Sequence, residues 1–339
     1  MKIAILAPIA WRTPPESYGP WEQVASTLTE ALVSRGHEVC LFASGNSITS
    51  AKLDAVCALP YETDKTSDPK VLECLHISNL MEKAGNFDII HNHFDFLPLT
   101  YSRLISTPII TTIHGFSSPK IIPVYKKYNA TAAYISISNA NRHEELTYLD
   151  TIYHGVNPSH FTFQSIKENY LLYFGRIHPE KGLDKAIAIA KKANLPLKIA
   201  GLIQDQDYFN SKIKPNIDGN FIQYLGNLGK NERDLILGSA KALLHPISFE
   251  EPFGLSVLEA MMCGTPVIAF CRGSMPELIA DGVSGFLVHT IQEAVDAVKK
   301  LELLSPIQCR WHAETNFNME NMISSYEEAY KNVLLNFQN

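Results

Sequence analysis

Residues Ser248–Ala269 read SFEEPFGLSVLEAMMCGTPVIA, and the order of residue types in this stretch decides the fold. GLSVLEAMMCG is a helical pattern closed by Gly264, and TPVIAF is a short unbroken apolar run of the kind that forms a fully buried strand. Just upstream, ERDLILGSAKALLHP reads as a helix followed by another strand. Apolar strands separated by helices belong to a parallel sheet covered on both faces.

The same alternation runs outward in both directions. Upstream lie NYLLYFGRI (strand), LDKAIAIAKKAN (helix), LPLKIAG (strand) and FIQYLG (strand); downstream, MPELIADG reads as a helix. The first half of the chain repeats the scheme. KIAILAPIA, HEVCLFAS, FDIIHNHF, PIITTIHG and AAYISIS are strands, and WEQVASTLTEALVSRG is a helix with Val24, Leu28 and Leu32 on one face and Gly36 as its stop. The expected fold is therefore α/β with two doubly wound domains, residues 1–160 and 161–315, whose carboxyl strand ends face one interdomain cleft. Residues 316–339 form a final helix with Met319, Met322, Ile323, Tyr326, Tyr330 and Val333 on its apolar side.

Composition fits this reading. The chain has 339 residues, of which 46% are hydrophobic and 19% charged, as in ordinary globular proteins with a sizeable core. A formal net charge of -6 is unlike the basic footprint of a nucleic-acid binder, so no nucleic-acid partner is expected. The six cysteines are scattered, without metal-ligand spacing, as buried thiols of a reducing compartment would be. The chain starts directly in a strand and has no spanning apolar stretch, so a cytoplasmic location is expected, with no cofactor.

Chemistry-bearing residues cluster at the loops after strands. Glu251 stands just before the helix of the opening stretch and Glu259 inside it; Pro252 closes the loop, and the helix begins near Phe253 or Gly254. The free N–H groups of that first turn can receive an anion, while the two carboxylates can accept from hydroxyl groups. In YFGRIHPEKGLDKAI, Arg176 follows a strand and Lys181 precedes a helix, a fork and a point charge suited to a diphosphate. His91, His93 and His114 stand at strand ends in the first half, where, taken alone, such residues are more often satisfied core or surface histidines. QDQD, with Asp205 and Asp207, reads as solvated loop charge, and no metal site is expected. SPKIIPVYKKY, with Lys120, Lys126 and Lys127, suits an acceptor-side loop or a peripheral membrane contact.

The opening stretch resembles the signature of family-4 glycosyltransferases of GT-B fold, in the match of Glu251, Phe253, Gly254, Glu259, Gly264, Thr265, Pro266 and Val267. Pro276, Glu277, Gly282 and Gly285 continue it, and Gly175-Arg176 with Glu180-Lys181-Gly182 resembles a second family motif. The resemblance implies two Rossmann-like domains and a last helix crossing back to the N-terminal one. It implies a retaining, metal-independent hexosyltransferase taking a nucleoside-diphosphate sugar, with UDP-glucose as the expected type. The acceptor would be a saccharide, a lipid-linked or a small-molecule hydroxyl.

By the same resemblance Arg176 and Lys181 stabilise the leaving diphosphate, Glu251 binds the donor sugar and Glu259 the ribose. Gly254 and Leu255 offer main-chain N–H groups, and His114 contacts the sugar or β-phosphate. The resemblance leaves His91 and His93 as structural or acceptor-side residues and Ser138 on the cleft side, while Trp21, outside the family pattern, is read as lining the acceptor or donor pocket or packing between domains. In SYGPWEQVA, Gly19 and Glu22 fit the family's phosphate loop, but Pro20 and Trp21 replace the usual glycine and polar residue, removing one N–H donor. His154 stands where asparagine is commoner. Rival readings are a non-hydrolysing sugar-nucleotide epimerase, a non-catalytic sugar-nucleotide binder and a glycosidase built on the two glutamates.

Overall fold

The computed structural model describes residues 1–116 and 118–337; positions 338 and 339 of the expected final helix lie outside the described residues. Contacts divide the chain into Met1–His154 together with the residues from Glu320 onward, and Gly155–Met319.

The first unit is a seven-stranded sheet. Its strands are β1 (Lys2–Leu6), β2 (Glu38–Phe42), β3 (Lys52–Asp54), β4 (Ile89–Asn92), β5 (Ile109–Ile113), β6 (Ala132–Ser136) and β7 (Asp150–Thr151). The order is β3-β2-β1-β4-β5-β6-β7, parallel throughout. Residues Ile3–Leu6 and all of β4 and β5 are buried, which is why these strands read as continuous apolar runs rather than alternating ones. The helix Pro20–Ser34 covers the sheet through Val24, Leu28 and Leu32, with Pro20 at its first position.

The second unit repeats the plan with β8 (Leu171–Phe174), β9 (Leu197–Ala200), β10 (Ile222–Tyr224), β11 (Ala242–His245), β12 (Val267–Phe270) and β13 (Gly285–Val288). Their order is β10-β9-β8-β11-β12-β13, again all parallel. Both sheets thus reverse direction of growth beside their first strand, between β1 and β4 and between β8 and β11. Ligands of open α/β sheets bind at the carboxyl ends of such neighbours.

The final helix, Met319–Phe337, packs on the first unit through Met322, Ile323, Tyr326, Tyr330 and Val333, all buried. Met319, expected on that face, is only partly buried. Arg35 fixes its outer side, pairing at 2.6 Å with both Glu320 and Glu327.

Several elements differ from the sequence reading, which also left out β3, β7, β13 and the helices Ile122–Tyr128 and Ile291–Lys299. MPELIADG is helical only over Met275–Leu278, because Ala280 accepts N–H groups from Val283 and Ser284 in a tight turn that ends the helix. The helices Pro69–Glu82 and Pro306–Asn316 were not legible. In the former, apolar residues fall on all sides, with Val71 56% and Leu75 50% exposed, so no single face stands out.

Candidate active site

In the second unit the expected donor-binding residues gather at the carboxyl ends of β8 and β11. Arg176 follows β8, and its guanidinium donates to the Gln204 side-chain oxygen. The Tyr173 hydroxyl donates to the Arg176 carbonyl at 2.8 Å, fixing the backbone beneath it. Lys181 ends a short turn, Pro179–Lys181, just before the helix Leu183–Ala193. Gly182 between them is left-handed (φ 71°), and the Pro246 carbonyl occupies the space a Cβ would need. The Ser248 N–H donates to the Glu180 carbonyl at 2.7 Å. This close backbone approach brings the loop after β11 against Lys181.

The result is an ion pair of 2.5 Å between Lys181 Nζ and Glu251 Oε2, with both side chains largely buried. His245, the last residue of β11, places Nε2 3.4 Å from the same oxygen, within ion-pair range but outside hydrogen-bond geometry. Burial alone would raise the Glu251 pKa; Lys181 and then His245 outweigh it and bring it down to about 2. Glu251 is therefore ionised near neutral pH, an acceptor rather than an acid. His245 is pushed below its ordinary value by burial, which outweighs the nearby Glu251 carboxylate.

The Glu250–Glu251 loop is strapped to residues 272–274. Glu250 accepts the Gly273 N–H at 2.5 Å, and the Ser274 N–H donates to the Glu251 carbonyl at 2.9 Å. Gly273 has φ 55°, and a Cβ there would fall on the Glu251 backbone. Phe253 is buried, and its carbonyl accepts the Ser274 hydroxyl at 2.6 Å. Gly254 caps the helix Leu255–Met262, its carbonyl accepting the Val257 and Leu258 N–H groups at 3.0 and 3.2 Å, so the N–H groups a ligand could use are those before Val257. Glu259 is buried inside that helix, 3.4 Å from Arg233. Burial raises its pKa, and Arg233 opposes the rise.

In the first unit, His93, His114 and His154 form a buried chain. His93 Nδ1 lies 2.9 Å from His114 Nε2, and His114 Nδ1 lies 3.3 Å from His154 Nε2. Burial, reinforced by the neighbouring rings, holds His114 well below its ordinary pKa, and His93 and His154 fall to about 3. The rings are neutral, so each carries one N–H, and all must point the same way along the chain. His93 Nε2 is buried without a partner. The chain can run either way, from His93 through His114 to His154 or the reverse, one end ring carrying the outward N–H in each case.

Both His114 nitrogens are thus engaged within the first unit, and Trp21 stacks on its ring at 5.4 Å with a 20° interplanar angle. His91 is occupied by the Tyr330 and Thr112 hydroxyls, at 2.7 Å each. Ser138 is buried and accepts the Asn141 N–H at 3.0 Å. Gly19 caps the helix that begins at Pro20. Glu22, two residues on, turns inward and accepts the Trp11 N–H at 3.2 Å.

Two other sequence features take structural roles. Asp205 caps a short helical turn by accepting the Tyr208 N–H at 2.8 Å. In SPKIIPVYKKY, Ile122, Tyr125 and Tyr128 are buried and Lys126 pairs with Glu145, so the apolar half of the stretch belongs to the core. Among the described residues no helix is long and apolar enough to cross a membrane. Spacing along the chain carries no signal for His245, Arg233, Gln204 or Gly273, which tertiary folding brings to the site.

Two doubly wound parallel units, with the second bearing cations, a helix start and carboxylates at its switch point, define a GT-B glycosyltransferase. Comparison with known proteins agrees. Residues 159–316 match the model of glycosyl transferases group 1, and residues 21–160 that of glycosyltransferase family 4. The chain belongs to the family-4 glycosyltransferases. An uncharacterised glycosyltransferase of Methanocaldococcus jannaschii is 26% identical, with 85% of each chain covered. The fold matches sucrose-phosphate synthase from Thermosynechococcus elongatus, with a TM-score of 0.80, 18% identity and 99% of each chain covered. It also matches Anabaena HepE, solved in complex with UDP-glucose, with a TM-score of 0.73, 17% identity, and 98% of this chain and 100% of that one covered.

Proposed function

We propose that this glycosyltransferase is a retaining, metal-independent hexosyltransferase whose donor is a nucleoside-diphosphate sugar of the UDP-glucose type. The observation that carries the reading is the grouping of Lys181 and the Gly254–Leu255 helix start beside Glu251, after β11, with Arg176 after the neighbouring strand β8. A diphosphate needs several cationic or N–H donors, and this grouping supplies three kinds. Hydroxyl groups need acceptors, and the carboxylates of Glu251 and Glu259 serve the sugar and the ribose. The UDP-glucose complex of HepE supports the donor class.

As the glycosidic bond breaks, negative charge grows on the leaving diphosphate. Arg176, Lys181 and the helix N–H groups stabilise that charge without needing to reorganise. Retention follows from attack of the acceptor hydroxyl on the leaving-group face, with a donor phosphate oxygen taking its proton. Glu251, held ionised, serves as a hydroxyl acceptor and not as a proton donor. A hydrolase would leave the two cations without work.

The acceptor side falls to the first unit, where the half-buried Trp21 ring offers an apolar face of the kind that packs on sugars. The six free cysteines are those of a reducing, cytoplasmic setting. Incubation with UDP-, GDP- and ADP-hexoses and a panel of sugar and lipid-linked acceptors, with and without EDTA, tests the reading. The expected outcome is transfer that survives EDTA and yields a product whose anomeric proton coupling matches the donor's. Donor conversion to an isomer without an acceptor would instead identify an epimerase.

A further inference from the structure

The loop after β9 was set aside in the sequence as solvated charge, yet it reaches Arg176. This inference rests on the donor-site reading above. The N–H groups of Gln204 and Asp205 both donate to the Ile177 carbonyl, at 3.2 and 3.1 Å, and Ile177 pairs with Ile203 in an isolated parallel bridge. The loop is therefore stitched to the residue that follows Arg176. From that position the Gln204 carboxamide oxygen accepts from the Arg176 guanidinium. The adjacent acid does not compete, because Asp205 is turned to the Tyr208 N–H.

The two cations of the site are thus held in opposite ways. Lys181 is matched with a carboxylate at 2.5 Å, whereas Arg176 is held by a neutral amide. We infer that Gln204 is the positioning residue that orients Arg176 toward the donor diphosphate while leaving its positive charge uncompensated. An amide oxygen supplies direction at little electrostatic expense. A carboxylate in its place would hold the guanidinium as firmly but cancel its charge and repel the diphosphate. On this account Arg176 makes the first contact with an arriving diphosphate.

Calorimetric titration of wild type, Gln204→Ala and Gln204→Glu with UDP, GDP and ADP, and with the corresponding monophosphates, tests this. Gln204 is exposed, so all three proteins are expected to melt together. Gln204→Glu should weaken the bound diphosphate about tenfold and Gln204→Ala about threefold, with monophosphates changed less than about twofold. In an Arg176→Ala background, Gln204→Ala should have no further effect. Diphosphate binding by Gln204→Glu equal to wild type would overturn the inference, as would a loss from Gln204→Ala that persists without Arg176. Failure of wild type to bind any diphosphate would instead overturn the donor-site reading, and this inference with it.

Discussion

Replacing Glu22 with glutamine isolates the electrostatics of the Gly-Pro-Trp loop. Glu22 is 3% exposed and sits at the third position of the helix Pro20–Ser34. One carboxyl oxygen accepts the Trp11 N–H, and among the described residues no cation pairs with it. Burial raises its pKa from 4.5 to about 7, with backbone N–H groups opposing the rise. Between those values the folded chain holds a proton that the unfolded chain has released. Stability must therefore fall as pH climbs from 4.5 toward 7, then level off. At about 1.4 kcal/mol per pKa unit, the loss is about 3 kcal/mol.

Glu22→Gln keeps the shape and removes the titration. Urea unfolding at about pH 5 and about pH 8.5 reads the difference, using fluorescence of Trp11 and Trp21, both in the first unit. Trp311 is 65% exposed and can be replaced by phenylalanine in both proteins to remove its signal. The two proteins should be of similar stability at the lower pH, and the variant more stable by about 3 kcal/mol at the higher. Parallel pH profiles for the two would refute the reasoning.

Gly273→Ala puts a methyl group against the Glu251 backbone at φ 55°. It should abolish nucleotide binding in a calorimetric titration while far-UV circular dichroism stays unchanged. Glu251→Gln removes the buried partner of Lys181, and transfer should fall about a hundredfold, as for loss of a transition-state contact of about 3 kcal/mol. Glu251 has its pKa lowered from 4.5 to about 2, so its contribution to stability is present above pH 4.5 and lost as pH falls toward 2. Acid titration of Glu251→Gln should lack that segment of the wild-type curve, read by circular dichroism.

The central strands were legible because parallel strands buried on both faces are unbroken apolar runs, as in KIAIL and VIAF, whereas the short edge strands β3, β7 and β13 were not read. The candidate site residues Arg176, Lys181, Glu251 and Glu259 could be named from the sequence because they sit in loops and helix starts where a motif has fixed spacing. What escaped was tertiary. Gln204 meets Arg176 across neighbouring strand ends, Arg233 reaches Glu259 from a separate helix, and Gly273 matters only because residue 251 passes beside it. Glu22 reads in the sequence as the start of a helix and a match to the family's phosphate loop, and its inward turn toward Trp11, eleven residues back, shows only in the fold. The helix Pro69–Glu82 escaped for a different reason, since Val71 and Leu75 point outward and blur its face.

The most direct test of the donor site is calorimetry with UDP, GDP and ADP on wild type, Lys181→Ala and Glu259→Ala. One nucleotide should bind wild type at a single site, and both variants should weaken it, Lys181→Ala acting on the diphosphate but not on the monophosphate. A folded wild-type protein that binds none of the three would contradict the account.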